Sequence, residues 1–239
     1  MRLRRRGVTR RAFMILLIAL GKPTSETLFA AAVLMFVGWL INIVTYGVLE
    51  KKRKLVTTGP YAFVRNPFYV GTFLADVGMS IAANPSYLPV TLVCAFYFLL
   101  QSFFYANQIK REERDLLTLF GEEYRRYCEN VPRLIPSFKS GMKNGAFRFS
   151  WSFDVALENR VFSRSFGAYL WLVFLWGLSF IGGKGEPLIS GNLRFERLEA
   201  NPVFLPIFVS SICIYGMFKV LEDVHKKERK KEREGVEFP

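Results

Sequence analysis

Histidine and cysteine are nearly missing from this sequence: there is one histidine, His225, and three cysteines, Cys94, Cys128 and Cys213. A lone histidine in a charged tail excludes a buried histidine base, a Cys–His dyad and a histidine-rich metal centre. The cysteines stand far apart and two lie inside apolar runs, so neither a disulfide framework nor a zinc site is written here, and no metal is expected. A phosphate-binding P-loop, a Rossmann glycine fingerprint, a zinc-protease motif and a GxSxG elbow are also lacking, and Gly183-Lys184-Gly185 reads as a turn. There is no internal repeat. Acidic residues are scarce, 20 against 33 Lys and Arg, for a net charge of +13, yet 51% of the chain is apolar. Those two features coexist only if they are segregated into long apolar runs and basic loops. That pattern belongs to an integral membrane protein and argues against a soluble nucleic-acid binder.

The runs are Thr27 to Leu49, Phe68 to Ala83, Tyr87 to Asn107, Ser165 to Gly182 and Pro202 to Leu221, each near the roughly 20 residues that a bilayer helix needs. A sixth, Ala12 to Leu20, spans if it borrows flanks from about Val8 to Lys22 with its arginines snorkelling. An alternative is that residues 1–21 are a cleaved signal peptide. Lys and Arg number six in residues 1–11, one in 21–26, five in 50–66, none in 84–86, eleven in 108–164, three in 183–201 and seven from 219 onward. If all six runs cross, every rich segment falls on one side, as the positive-inside rule requires. The expected fold is therefore all-α: a polytopic bundle of about six membrane helices with both termini cytoplasmic. Asn84-Pro85-Ser86 is short enough only for a tight helical hairpin. The tail from His225, rich in Lys, Arg and Glu, reads as a solvated helix end near anionic lipid headgroups.

Two cytoplasmic segments are richer than topology demands. In the first, residues 55–71, Gly59-Pro60 makes a turn and Pro67 forces Asn66 out of the helical region. A membrane helix then starts at Pro67 with Asn66 as its N-cap and its free N–H groups facing the cytoplasm. Arg65 stands beside that helix end, and a guanidinium with a helix N-terminus suits a small carboxylate or phosphate. In the second, a helix from Ile109 carries an apolar stripe through Leu116, Leu117 and Phe120 toward Tyr124 and Tyr127. By i, i+4 spacing at least one of Glu112 and Glu113 is directed toward the packed face. Asp76 lies inside an apolar run, where an ionisable group costs about 2.5 to 3.5 kcal/mol by insertion scales, so it should face protein or a water-filled cavity.

The order Leu55-Val-Thr-Thr-Gly-Pro-Tyr-Ala-Phe-Val-Arg-Asn-Pro-Phe-Tyr-Val-Gly71, a helical hairpin, Arg111-Glu-Glu-Arg-Asp-Leu-Leu-Thr-Leu-Phe-Gly-Glu-Glu-Tyr124 and Val131-Pro-Arg-Leu-Ile-Pro136 resembles the isoprenylcysteine carboxyl methyltransferase and phospholipid methyltransferase superfamily. The resemblance covers about residues 28–138. It implies an integral membrane enzyme that uses S-adenosyl-L-methionine in a cytoplasmic-facing pocket and takes a lipid or lipidated acceptor from the bilayer. It places the cofactor against Leu55, Val56, Tyr61, Asn66, Pro67, Phe68 and Tyr69, with Gly71 allowing close helix approach and Glu112 and Glu113 closing the pocket. On that reading Arg65 and the helix start bind the methionine carboxylate, one of the two glutamates binds the ammonium or ribose hydroxyls, and Gln108, Asp76 and Arg111 bear on the acceptor. The implied organisation is a basic N-terminus with a short helix (1–26), a methyltransferase-like core (27–138), a basic linker (139–164), a helix pair (165–221) and a basic tail (222–239).

The chain departs from the superfamily twice. The usual Arg-His-Pro is Arg65-Asn66-Pro67 here, so an amide replaces an imidazole. Relatives that methylate a prenylcysteine carboxylate align an arginine near Gln108, where only Lys110 and Arg111 are close. A carboxylate acceptor is already a nucleophile at neutral pH whereas an amine must first lose a proton, so the lack of a histidine base favours a carboxylate or thiol. The alternatives are a membrane reductase of the steroid 5-alpha-reductase type using NADPH, which would carry Glu where Thr72 stands, and a non-enzymatic membrane scaffold.

Overall fold

The computed structural model describes residues 2–49, 54–181 and 201–235, and there is no strand among the described residues. The helices are α1 (Arg2–Leu20), α2 (Ser25–Gly47), α3 (Pro60–Phe63), α4 (Pro67–Ala82), α5 (Leu88–Asn130), α6 (Phe138–Lys143), α7 (Phe153–Glu158), α8 (Val161–Ile181) and, after the 183–201 stretch, α9 (Phe204–Gly235). The loop expected at 183–200, its Gly183–Gly185 turn and the last four residues of the tail lie outside the described residues.

Among the described residues four helices, α2, α5, α8 and α9, are long and apolar enough to cross a membrane. The protein is a multi-pass membrane helix bundle. The run expected from Phe68 to Ala83 forms α4, whose 16 residues rise about 24 Å. That is less than the roughly 30 Å hydrocarbon core, so α4 crosses only with its flanks or where the bilayer thins. Start and stop signals are local. Thr24 and Thr27 cap α2 reciprocally, the backbone N–H of each reaching the other's hydroxyl at 2.9 and 3.3 Å, which is the logic of a capping box. Asn84, with φ 64, turns the chain between α4 and α5. Gly121 breaks the long α5 with φ 53 and ψ −123, a conformation that favours glycine.

The chain divides into two compact units. The first comprises residues 1–38, 73–114 and 168–210. Its core joins Phe13, Met14 and Leu17 of α1 to Ala31 and Met35 of α2, Met79 and Ala82 of α4, Val90, Cys94 and Tyr97 of α5, and Leu172 and Leu175 of α8. The short apolar half of α1 is thus a core element, with Phe13 stacked on Tyr97 at 3.6 Å. Gly78 sets the approach of α2 to α4, since a Cβ there would stand 2.6 Å from the Met35 side chain and 3.1 Å from the Ala31 carbonyl. Asp76 is fully buried in this unit. It accepts from the Arg10 guanidinium at 2.8 and 2.9 Å on Oδ1 and from the Tyr97 hydroxyl at 2.6 Å on Oδ2. Leu92, Phe96, Leu99 and Phe103 of α5 are exposed at three- and four-residue spacing, a stripe that lipid covers in a membrane helix.

The second unit comprises residues 39–72, 115–167 and 211–239. One of its cores gathers Tyr46, Phe68, Ala156, Leu157, Val161, Phe162 and Phe218. The other gathers Leu55, Leu116, Phe120, Tyr124, Tyr127, Cys128 and Val131. The Asn159 amide donates to the carbonyls of Tyr46 and Leu49 at 3.0 and 2.9 Å, satisfying the free end of α2. At the start of α8, Glu222 of α9 accepts the Ser163 N–H at 3.0 Å and its hydroxyl, and Arg160 pairs with Asp223.

Candidate functional site

The expected helix start at Pro67 is present, and the segment before it is built by backbone pairing. Gly59, with φ 63 and ψ −136, turns the chain into α3 with Pro60 at its first position. The ring of Phe149 lies so near that a Cβ on Gly59 would stand 3.0 Å from it. Residues 61–66 then run beside residues 127–140. The Tyr127 hydroxyl donates to the Tyr61 carbonyl at 2.7 Å. The Arg65 N–H donates to the Pro132 carbonyl at 2.8 Å, and the Ser137 N–H to the Phe63 carbonyl at 2.9 Å. The Ser140 hydroxyl lies 2.8 Å from the Ala62 carbonyl and 2.9 Å from that of Asn130. The ring of Phe63 occupies the space that a side chain on Gly141 would fill, 2.3 Å from a Cβ placed there. Burial pushes the Tyr127 phenol well up from its ordinary range, so at neutral pH it is a neutral donor.

Asn66 lies within this pairing. Its side-chain amide donates to the Arg133 carbonyl at 3.0 Å, so the amide fixes the loop entering α4 to the 131–136 stretch. The Arg65 guanidinium lies 2.7 Å from the Cys128 sulfur through Nη1. Both residues are half-buried. Leu55 packs on Tyr124, Tyr127 and Val131. Val56 and Tyr61 are half-buried, Pro67, Tyr69 and Gly71 are buried, and Phe68 meets the Tyr46 ring edge-on at 4.9 Å. The second unit therefore ties Leu55, Tyr61, Arg65 and Asn66 to residues 124–133, while Phe68 packs on Tyr46 in its other core.

The remaining candidates belong to the first unit. On α5, Glu112 and Glu113 are both half-buried, and the Gln108 amide donates to Glu112 at 3.0 Å. Arg111 is exposed, whereas Ile109, on the face shared with Glu113, is buried. Leu117 is exposed, contrary to the expected stripe, which instead passes from Leu116 and Phe120 to Tyr124 and Tyr127. The break at Gly121 resets the helical phase between those pairs. Asp76 faces protein, with both oxygens taken by Arg10 and Tyr97. Sequence reasoning did not single out Cys128, Ser140 or the Arg133 carbonyl. The available signal was the i, i+4 pair Tyr127 and Val131, which places Cys128 at the edge of the packed face.

A multi-pass helix bundle with an Arg-Asn-Pro helix start pinned to a Val-Pro-Arg stretch defines the class as a membrane protein with a polar segment built at the end of its helices. Residues 23–118 match the Isoprenylcysteine carboxyl methyltransferase (ICMT) family. This part of the chain is similar to that family, and the match covers less than half of the chain. Protein-S-isoprenylcysteine O-methyltransferase of Rattus norvegicus is 37% identical over 93 residues, 38% of this chain and 30% of that protein. Nickel-cobalt-cadmium resistance protein NccN of Alcaligenes xylosoxydans xylosoxydans is 30% identical over 141 residues, 54% of this chain and 63% of that protein. Methanethiol S-methyltransferase of Crocosphaera subtropica is 36% identical over 83 residues, 35% of this chain and 29% of that protein. The similarity spans about a third of the length of the isoprenylcysteine methyltransferases it matches. No solved structure matches the chain.

Proposed function

We propose that this protein is a membrane-embedded methyltransferase that carries a methyl group from S-adenosyl-L-methionine to a lipid-like acceptor, with both termini and the cofactor site cytoplasmic. The observation that carries the reading is the match over residues 23–118, supported by relatives named as isoprenylcysteine O-methyltransferase and methanethiol S-methyltransferase. The side chains present fit the cofactor by chemistry. A guanidinium beside a helix start suits the methionine carboxylate, and the half-buried Glu112 and Glu113 suit an ammonium or ribose hydroxyls. Apolar and aromatic residues from Leu55 to Tyr69 suit the adenosyl portion. When bound, the cofactor supplies an electrophilic methyl on a sulfonium, which an acceptor lone pair takes in line as the sulfur regains its electron pair.

The work left to the protein is to hold two reactants collinear and dry, an entropic contribution that needs no side-chain base when the acceptor is a carboxylate. Arg65 anchors, the glutamates orient, and Asn66 keeps the loop in place without supplying an imidazole base. An isoprenylcysteine-type carboxylate is favoured on that account, and a thiol also satisfies it. The test is formation of S-adenosylhomocysteine by the detergent-purified protein given a small prenylcysteine, a long-chain thiol or phosphatidylethanolamine. Turnover with either of the first two supports the reading. Turnover with the amine alone contradicts the preference for an acceptor that needs no base.

A further inference from the structure

Residues 131–153 hold four basic side chains and no acidic one. In a chain whose membrane helices already present apolar faces, this stretch beyond them is also conspicuously exposed and apolar. Ile135 is 82% exposed, Phe138 80%, Met142 69% and Phe147 79%, and Trp151 and Phe153 are exposed as well. A water-soluble linker of this length would not leave so many large apolar groups uncovered. Lys139, Lys143 and Arg148, interleaved with them, are exposed too.

The stretch is tied to the end of a membrane-crossing helix. The Trp151 indole N–H donates to the Ile43 carbonyl at 3.1 Å, and the Ser152 N–H donates to the Gly47 carbonyl at 2.9 Å. Gly47 is what lets the indole lie there, since a Cβ would meet the ring at 1.8 Å. Ile43 lies about 6 Å along the axis from the end of α2, so Trp151 sits at the depth where a crossing helix leaves the hydrocarbon. Aromatic rings and long basic side chains favour that interface. Around α6 polar groups are also satisfied from within: the Ser137 hydroxyl accepts the Ser140 N–H, and the Asn144 amide donates to the Ser140 carbonyl. The backbone of α6 can therefore leave bulk water at little cost.

We propose that residues 134–153 form a surface that wades into the headgroup region of an anionic bilayer, with Ile135, Phe138, Met142 and Phe147 in the acyl boundary and Lys139, Lys143 and Arg148 on lipid phosphates. The occupant is the bilayer itself, argued from charge complementarity and from continuity with α2, and the proposal stands whether or not the chain transfers methyl groups.

Hydroxyl-radical footprinting of the unsubstituted chain in nanodiscs tests it. Met217, exposed on the apolar span of α9, reports lipid cover, and Leu119, exposed on α5 beyond its apolar run, reports water. Normalised for intrinsic reactivity, Met142 and Phe147 should be oxidised about tenfold less than Leu119 and as little as Met217. Their protection should deepen when roughly 30% phosphatidylserine is added to phosphatidylcholine and relax in high salt. Replacing Lys139, Lys143 and Arg148 by Gln should remove that lipid-dependent increment and leave Met217 unchanged. Oxidation of Met142 and Phe147 at the rate of Leu119 in both lipids would overturn the proposal and point to a soluble protein partner. An increment that survives the triple substitution would overturn the role given to the three cations.

Discussion

The side-chain amide of Asn66 donates to the backbone carbonyl of Arg133 across 67 positions of sequence. Asn66 stands where the resembling superfamily has histidine. An imidazole offers an N–H donor and a titratable base, and an amide offers only the donor. In this chain the donor is in use for holding the loop before α4. Asn66→Leu should lower stability by about 1 kcal/mol, the net value of such a bond, and Asn66→His should recover most of it through a ring N–H. Thermal unfolding in detergent separates the two variants; no loss in Asn66→Leu would mean that the contact with Arg133 contributes nothing.

Arg10 and Asp76 form an ion pair with the carboxylate fully buried and the guanidinium about a third exposed. Removing one partner strands the other charge, which is more damaging than removing both. Asp76→Ala should cost about 2 kcal/mol or more, and Arg10→Met with Asp76→Leu should cost less than Asp76→Ala alone. Yield and melting temperature of the two proteins in detergent decide this. A double variant worse than the single one would show that the pair is net stabilising.

Tyr127 gives a pH signature. Its phenol is pushed up in the folded protein by burial, while in the unfolded chain it titrates near 10. Above that pH the unfolded state loses the proton first, so stability is complete below about pH 10 and declines as pH rises beyond it. Tyr127→Phe loses the hydrogen bond to the Tyr61 carbonyl but should be less sensitive to alkali. Unfolding followed from pH 8 to 11 checks it: parallel declines in the two proteins would contradict the assignment.

Much of this molecule is legible in its sequence because the bilayer imposes simple rules. Apolar length locates α2, α5, α8 and α9, and the Asn-Pro pair locates the start of α4. The residue that resisted reading was Asp76: its position on an apolar helix announced a need for a partner, yet nothing local named Arg10 and Tyr97, which lie 66 and 21 positions away. The same holds for Cys128 beside Arg65, a contact set by how residues 127–140 fold back on 61–66. Leu117 is exposed because it lies about 100° around the helix from its neighbour Leu116, so the two leucines do not share one packed face. Long-range pairing is a tertiary fact, and a one-dimensional pattern carries only its demand for a partner.

Glu222 is a buried carboxylate that receives the Ser163 N–H at the start of α8. A carboxylate at a helix N-terminus satisfies a free donor and meets the positive end of the helix dipole. Glu222→Ala should therefore cost about 1 to 2 kcal/mol, and Glu222→Gln about half as much because the amide oxygen still accepts. Protease susceptibility between α7 and α8 reads this locally, and an unchanged cleavage rate in Glu222→Ala would show that the cap is dispensable.

The most direct measurement is calorimetry of S-adenosylmethionine binding to the detergent-purified protein, with S-adenosylhomocysteine and NADPH as comparators and Glu112→Gln as the variant. The account predicts saturable binding of both adenosyl ligands, no binding of NADPH, and an affinity for S-adenosylmethionine about tenfold weaker in Glu112→Gln, equivalent to about 1.4 kcal/mol. Absence of adenosyl binding, with or without a signal from NADPH, would contradict the methyltransferase reading and leave the reductase or the scaffold in its place.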